Sequence, residues 1–473
     1  MSKSRRLTKI VTVGLAVILA AVAVGYYKIK DKALAGSGYN AKILCSSVFV
    51  SGRNPADVER VDLGATAFIP FSNHIDRTNQ TASSSLFGLF KQTAVYREGL
   101  GCTLAVEISE KDLTSQVEAV PRAESSLDAS MPWPEGKMVE KDNLPAEVDS
   151  EKLKKAIEFA FTDPDPANPI RTRAVVAVYN GRIIAEKYAD GFSKDTRLLG
   201  WSMTKSVTNA MVGILVKQGK LDIYESAPVP EWRGSADPRS AITVDQLLRM
   251  SSGLKFVEAY ESDAASDCVR MLFQEPDMGA FAASMPLAAA PDTTWSYSSG
   301  TTNIIQRIIR QTLGDDKDYY TFVREALFDK LGMMHTLIET DASGTFVGSS
   351  FMYASGRDWA RIGLLFLNDG IWQGKHLLPE GWVKYSITPT LKAEKGRYGA
   401  HFWLNAGTSG RPEDRDFPSL PTDLFYMSGH DGQMVAIIPG SRLVIVRLGY
   451  TPASVTTWDK ETFLGNFIDA IHS

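Results

Sequence analysis

The sequence contains little cysteine, little histidine and no marked excess of charge. Three cysteines in 473 residues are too few for a disulfide-rich scaffold or a zinc site of four cysteines. The six histidines are scattered, no His-x-x-x-His or Cys-x-x-Cys pair occurs, and no glycine-rich phosphate loop stands out, so we expect neither a metal nor a cofactor. Lysine and arginine total 51 against 55 acidic residues, and this balance argues against a nucleic-acid partner.

One long apolar run interrupts an otherwise ordinary globular composition. Residues Ile10 to Tyr27 carry no charge and follow a basic cluster from Lys3 to Lys9. About 18 residues just suffice to cross a bilayer once, and the cluster favours an N-terminus that stays inside. We therefore predict an inner-membrane, single-pass protein with the rest of the chain on the periplasmic side. The alternatives are a signal peptide with the cleavage signature Ala33-Leu34-Ala35, which would leave a secreted protein, and a buried core helix.

The rest of the chain divides by pattern into an extra domain, a linker and a large domain. Residues 1–35 form the anchor or signal, 36–115 a small β-rich domain, 116–150 a proline-containing linker, and 151–473 the main domain. Short strands are expected at Ile43–Cys45, Val48–Val50 and Thr103–Ile108. In an exported compartment Cys45 and Cys102 would pair, with a stabilisation of roughly 4 kcal/mol, the alternative being two free buried thiols. Cys268 is left as a small core residue.

Residues 151–473 predict an α+β fold with an antiparallel sheet between terminal helices. A helix is expected at Glu151–Phe161. The turn pair Asn180-Gly181 joins two apolar runs, which is typical of a hairpin. Apolar spacing predicts an all-helical middle, with helices from Met203 to a Gly219 cap and at 244–250, 302–313, 320–331 and 356–367. A second hairpin over 434–448 and a last helix over 462–471 complete the pattern.

Ser202 and Lys205 form a Ser-x-x-Lys motif at the start of the expected helix. A spacing of three residues places both side chains on one helix face. A serine at a helix start lies near unpaired N–H groups and the positive end of the dipole. A neutral lysine one turn later can take the hydroxyl proton, which makes the serine a nucleophile. The motif is weak when it stands alone, because a serine N-cap followed by a solvated lysine has the same spacing.

Two later motifs strengthen this interpretation. Trp295 to Gly300 reads WSYSSG, and Gly429 to Gln433 reads GHDGQ directly before an expected strand. The three motifs in this order resemble those of the serine beta-lactamase and penicillin-binding-protein superfamily, most closely its class C-like branch of esterases, D-aminopeptidases and 6-aminohexanoate-dimer hydrolases. The resemblance covers about residues 150–473. It implies a beta-lactamase-like fold, with an antiparallel sheet, terminal helices and an all-helical subdomain.

The resemblance also implies a role for each motif residue. Ser202 corresponds to the acylated nucleophile, Lys205 to its proton acceptor, and Tyr297 to the tyrosine that relays protons and activates water. A buried phenol can act as a base only if a nearby cation favours its phenolate. The implied oxyanion hole consists of the backbone N–H groups of Ser202 and Gln433.

The remaining motif residues are implied to bind substrate. His430 and Gly432 end the third motif, and Gly432 would let the strand approach the substrate closely. Ser299 stands where the lactamases carry asparagine, and the third motif lacks its lysine, so efficient beta-lactam hydrolysis is not expected. His401 could line the cleft or lie on the surface or in the core.

The sequence therefore predicts a serine hydrolase that cleaves an amide or ester of a small-molecule or peptide-like acyl substrate. One alternative is a catalytically weak penicillin-binding-like protein that binds peptide or cell-wall material. Another is that residues 36–115 serve chiefly to bind a partner.

Overall fold

The computed structural model describes residues 29–64, 69–116, 120, 127–140, 143–234, 236–260 and 266–471. Among these residues, no helix is both long and apolar enough to cross a membrane. The apolar run from Ile10 to Tyr27 lies outside the described residues. The membrane anchor, its orientation and the cleaved-signal alternative therefore stay predictions.

The N-terminal region begins with a helix and continues into a four-stranded antiparallel meander. Helix α1 covers residues 29–45 and widens into a π-helical turn over Ser46–Val50. The later elements of the region are α2 Pro55–Asp57, β1 Phe71–Asp76, β2 Thr81–Leu86, β3 Leu89–Arg97, β4 Gly101–Leu104 and α3 Glu110–Ser115, with the sheet order β1-β2-β3-β4. The strands expected at Ile43–Cys45 and Val48–Val50 are wrong, because both segments are helical, and the strand expected at Thr103–Ile108 ends at Leu104.

A disulfide joins helix α1 to the meander. Cys45 and Cys102 are bonded, with their Cα atoms 6.0 Å apart, and both side chains are fully buried. This confirms the predicted pairing, and Cys268 is free and buried as expected. The bond closes a 57-residue separation, so it restricts the unfolded chain substantially.

A buried ion pair holds the same helix against the main domain. Lys42 donates to Glu339, and the two side chains are 2% and 0% exposed. Glu339 also accepts from the Ser46 hydroxyl at 2.8 Å and from the Cys102 N–H at 2.7 Å. Burial lowers the pKa of Lys42 and raises that of Glu339, and their mutual attraction opposes both shifts. The extra region is therefore joined to the main domain by polar contacts as well as by apolar packing.

The main domain is built on a six-stranded antiparallel sheet of order β12-β13-β14-β15-β5-β6. Its strands are β5 Thr172–Tyr179, β6 Arg182–Tyr188, β12 Trp403–Leu404, β13 Phe425–Gly429, β14 Gln433–Ile438 and β15 Leu443–Gly449. Asn180 and Gly181 both have positive φ, which confirms the predicted hairpin turn. Three shorter strands form a second sheet of order β7-β9-β8, namely β7 Leu198–Leu199, β8 Thr336–Ile338 and β9 Met352–Ala354, and β10 Ile371–Trp372 pairs with β11 Lys375–His376.

Helices cover both faces of the large sheet and fill the middle of the chain. They are α4 Ser150–Phe161, α5 Thr204–Lys217, α6 Val244–Leu248, α7 Asp267–Gln274, α8 Met278–Ser284, α9 Ser299–Leu313, α10 Asp316–Val323, α11 Asp329–Leu331, α12 Gly356–Leu367, α13 Trp382–Ser386 and α14 Lys460–Asp469. The terminal helices α4 and α14 pack together on one face, and α12 packs on the other. The α+β architecture with terminal helices and an all-helical insertion is thus confirmed.

Part of the predicted linker packs against this domain. Trp133 is buried beneath the Arg361 guanidinium, whose carbon lies 5.3 Å from the indole centroid. Arg361 also donates to the carbonyls of Pro134 and Gly136. These contacts lie in the stretch 116–150, and the domain boundaries themselves stay predictions.

Candidate active site

Ser202 lies in a tight turn directly before helix α5. The turn Trp201–Met203 is a single 3-10 turn, and Trp201 has a φ of +49°, an uncommon conformation for a bulky residue. Gly200 precedes it, and a Cβ there would lie 2.1 Å from the Trp359 indole. The turn is thus held in a strained shape by close packing. The Ser202 side chain is half-buried, in contrast to its buried neighbours.

Lys205, in the first turn of α5, makes three hydrogen bonds. Its side chain is buried at 1% exposure, with Nζ 3.1 Å from Ser202 Oγ, 3.0 Å from Ser299 Oγ and 3.0 Å from the Ser349 carbonyl. A carbonyl can only accept a hydrogen bond. The Ser299 hydroxyl donates its proton elsewhere, so it too accepts from Lys205. A neutral Lys205 therefore directs its lone pair at Ser202.

The Ser299 hydroxyl donates its hydrogen bond to Glu258, which the sequence motifs do not include. Glu258 accepts from the Ser299 hydroxyl at 2.6 Å and from the Ser299 N–H at 2.7 Å. It also accepts from the Tyr260 hydroxyl at 3.1 Å. Hydrogen bonds to a carboxylate are stronger than those between neutral groups, so Glu258 fixes the direction of the Ser299 hydroxyl. No spacing rule in the sequence relates Glu258 to Ser299.

Tyr297 lies beside the same lysine. Lys205 Nζ is 4.8 Å from the centre of the Tyr297 ring. Burial raises the pKa of Tyr297, and the nearby Lys205 charge lowers it without cancelling that effect. Free tyrosine already titrates near 10, so the phenol is protonated at neutral pH. As expected, the Lys205 cation favours the phenolate of Tyr297, but its effect is smaller than that of burial.

Aromatic rings enclose the Tyr297 side chain. Its ring is 5.8 Å from Tyr398, edge to face, and 5.5 Å from Trp403. Trp295 contacts both of those rings, at 5.5 Å and 6.3 Å. Such packing restricts the ring to one position beside Lys205, and it makes this wall of the site apolar.

The first residues of the third motif, Gly429 and His430, lie beside the turn that contains Ser202. The His430 ring lies 5.5 Å from Trp201 and stacks on Tyr260 at 5.1 Å. A Cβ at Gly429 would lie 2.2 Å from the Gly200 carbonyl oxygen. The glycine that permits close approach to the turn is therefore Gly429. The expected approach of Gly432 to the substrate stays a prediction.

Gly432 and Gln433 face a different part of the sheet. A Cβ at Gly432 would lie 2.8 Å from the Arg447 guanidinium, to which the Gly432 carbonyl is hydrogen-bonded. The Gln433 amide exchanges two hydrogen bonds with the Gly449 backbone, at 2.7 Å and 2.9 Å. The Gln433 side chain is thus committed to a structural pairing. The expected role of the Gln433 backbone N–H in the oxyanion hole stays a prediction.

His401 is a core residue. It is 2% exposed, its Nδ1 lies 2.8 Å from the Lys205 carbonyl, and its Nε2 lies 3.1 Å from the Thr302 hydroxyl. Because the carbonyl only accepts, Nδ1 carries the proton and Nε2 accepts from Thr302. Burial, together with the Lys205 charge, lowers the pKa of His401 to about 3. The neutral ring ties α5 to α9 and does not line the cleft.

Comparison with known proteins agrees with this fold. The family described as Beta-lactamase matches residues 163–458, which is more than half of the chain. The chain belongs to the beta-lactamase family. Within 314 aligned residues it is 26% identical to a 6-aminohexanoate-dimer hydrolase of Paenarthrobacter ureafaciens, over 59% of this chain and 73% of that protein.

Solved structures of the beta-lactamase fold are similar over most of the chain. A putative 6-aminohexanoate-dimer hydrolase from Bacillus anthracis superposes with a TM-score of 0.55 at 20% identity, covering 75% of this chain and 89% of the other. A class C beta-lactamase gives 0.51 at 16% identity, covering 70% and 99%. Family membership makes the chain a serine hydrolase of the beta-lactamase-related type.

Proposed function

We propose that this protein hydrolyses an amide or ester through a covalent acyl-enzyme on Ser202. The observation that carries the proposal is the 3.1 Å contact between Lys205 Nζ and Ser202 Oγ, with the other two Lys205 partners both accepting hydrogen bonds from it. Ser202 Oγ would attack the acyl carbon while its proton passes to Lys205 Nζ. Backbone N–H groups near the turn would stabilise the oxyanion, the Ser202 N–H being one of them.

Collapse of the tetrahedral intermediate requires a proton on the leaving group. Tyr297 is protonated and lies beside Lys205, so it is suited to donate that proton and to be recharged from the lysine. The bond from the acyl carbon to the leaving nitrogen or oxygen breaks, and the acyl group stays on Ser202. Water then attacks the ester, giving its proton to the same pair, and the acid leaves with Ser202 restored.

The proposed substrate is an open-chain amide or ester. His430 stands where the lactamases carry a lysine, so a beta-lactam carboxylate would lack its usual cationic partner. The apolar wall around Tyr297 suits the hydrocarbon part of an acyl chain. The curated relative from Paenarthrobacter ureafaciens is named for a linear amide substrate, which supports the same class.

The test combines hydrolysis with covalent labelling. Wild type, Ser202→Ala and the exposed control Ser284→Ala are assayed on para-nitrophenyl esters of graded chain length, the 6-aminohexanoate dimer, D-amino-acid amides and nitrocefin. We expect the wild type and the control to turn over at least one ester or amide, and Ser202→Ala to lose at least about a thousandfold in rate. Full activity of Ser202→Ala would contradict the assignment.

Labelling by a fluorophosphonate separates hydrolysis from binding alone. We expect one adduct per chain, on Ser202, by intact mass and peptide mapping. Labelling without turnover of any substrate would favour the catalytically weak, penicillin-binding-like alternative.

A further inference from the structure

Exposed apolar side chains are concentrated at one end of the N-terminal meander. Phe87 is 74% exposed and Leu89 60% exposed, at the tip of the β2–β3 hairpin, and Ile69 is 46% exposed just before β1. Register places all three at the same end, because Phe71 pairs with Leu86 and Leu86 pairs with Leu89. Solvated hairpin tips are usually polar, so a phenylalanine and a leucine here call for an apolar partner.

Helix α1 runs along the meander toward this end. Cys45 is bonded to Cys102, which pairs with Tyr96 far from the hairpin tip. Further back along the helix, a Cβ at Gly38 would lie 3.5 Å from Leu104. Still further back, a Cβ at Gly36 would lie 2.5 Å from the ring of Phe71, at the tip end. These three contacts in order show that the helix approaches the tip as the chain is followed back toward residue 29.

The first residues of α1 therefore lie on the side of the tip. Residue 29 is seven residues before Gly36, about 10 Å further along the helix at 1.5 Å per residue. Ile29 is 47% exposed there, and the uncharged run Ile10–Tyr27 ends two residues before it in the sequence. Exposed Lys30 and Lys32 lie beside it, and exposed Lys91 lies two residues beyond Leu89. Apolar side chains flanked by lysines are what an anionic lipid surface binds.

We propose that the tip of the β2–β3 hairpin is a membrane-contact surface. Ile69, Phe87 and Leu89 would enter the headgroup region of the bilayer that the sequence predicts residues 10–27 to cross. The protein would then contact the membrane at two places, the predicted span over residues 10–27 and the hairpin tip. Two contacts would limit how the hydrolase domain tilts on the membrane. This assignment gives residues 36–115 a lipid partner and does not depend on the proposed reaction.

The experiment places an environment-sensitive label on the tip of the full-length chain. The three native cysteines are a disulfide pair and a buried thiol, so an added surface cysteine can be labelled selectively. Phe87→Cys carries an NBD label, and Leu391→Cys, 73% exposed on the main domain, is the matched control. Both proteins are reconstituted into vesicles of phosphatidylcholine and phosphatidylglycerol, with and without nitroxide-labelled lipid, and are first checked for wild-type melting temperature.

We expect the label at position 87 to shift to shorter wavelength, to be quenched at least about twofold by the nitroxide lipid and to be shielded from iodide. The label at position 391 should stay open to iodide and should not be quenched by the lipid. Equal iodide access at both positions would overturn the proposal, as would a full-length chain that does not float with the vesicles. Energy transfer between labelled copies that persists in detergent would assign the tip to a second copy and would also overturn it.

Discussion

Replacing Glu258 by glutamine should impair the activation of Ser202 without removing any group that touches it. In the native site the carboxylate holds the Ser299 hydroxyl proton, which leaves Ser299 Oγ free to accept from Lys205. A glutamine is neutral and can present its NH₂ to Ser299. The Ser299 hydroxyl is then free to donate to Lys205, where it competes with Ser202 for the lysine lone pair.

The size of the effect follows from the bond that is weakened. A hydrogen bond to a charged group contributes about 1.5–3 kcal/mol. If this preference is what orients the Ser299 hydroxyl, its loss should lower kcat/KM by about 10- to 150-fold, at about 1.4 kcal/mol per tenfold. The Ser299→Ala variant removes the intermediary itself. In that background, the further change Glu258→Gln should add little.

The assay is the second-order rate of fluorophosphonate labelling at Ser202, measured beside kcat/KM on an activated ester. Labelling reports activation of the nucleophile directly, so both rates should fall together in Glu258→Gln. The control is Glu275→Gln, which removes another partly exposed acid, paired with Arg270. A Glu258→Gln protein with native melting behaviour and an unchanged labelling rate would refute the reasoning. Full additivity of the two substitutions would refute the route through Ser299.

Three further predictions concern stability. The pKa of His401 is lowered from 6.5 to about 3, so the neutral ring stabilises the folded protein above pH 6.5. As the pH falls from 6.5 toward 3, the free energy of unfolding should decrease by about 1.4 kcal/mol per pH unit. The variant His401→Asn, whose side chain tolerates the positive φ at this position, should flatten that part of the urea-unfolding pH profile. Lys42→Met should cost about 3–5 kcal/mol in urea unfolding because it leaves Glu339 buried without its cation, and adding Glu339→Gln should restore most of the loss. The double variant Cys45→Ser/Cys102→Ser should lose about 4 kcal/mol, and a change below 1 kcal/mol would contradict the chain-entropy estimate.

Elements with a clear period or turn signal could be predicted from the sequence. The hairpin at Asn180-Gly181 and the helix Gly356–Leu367 have the expected bounds. In both cases local backbone preference and the apolar pattern favour the same structure, and the surrounding fold favours it as well.

Helix α1 could not be predicted, for a physical reason. Two short apolar runs separated by two residues fit a pair of strands as well as a buried helix. Residues 40–48 are all buried, including Lys42 and Ser46, whose polar groups are satisfied by Glu339. A helix that is covered all round has no polar face, so its 3.6-residue period does not show in the sequence.

In the site, motif reasoning reached Ser202, Lys205 and Tyr297 but not Glu258, which belongs to none of the motifs. Ser202 and Lys205 are one helical turn apart, and their contact follows from helix geometry. Glu258 meets Ser299 across 41 residues, and only the folded insertion makes them neighbours. The sequence also could not show whether Gly429 or Gly432 lies against the turn that contains Ser202, because that depends on how the strand ends.

The proposed reaction divides the chemical work between Lys205 and Tyr297. Burial raises the pKa of Tyr297, so the proposed reaction does not use it to deprotonate Ser202 first. It assigns that step to a neutral Lys205, whose two other partners accept hydrogen bonds and leave its lone pair for Ser202. The tyrosine is then needed where a proton must be given, at departure of the leaving group. That need is greater for an amide than for an activated ester, because an unprotonated amine anion is far the poorer leaving group. The proposed roles of Tyr297 and Lys205 therefore suit an amide substrate, and an ester requires less of the same site.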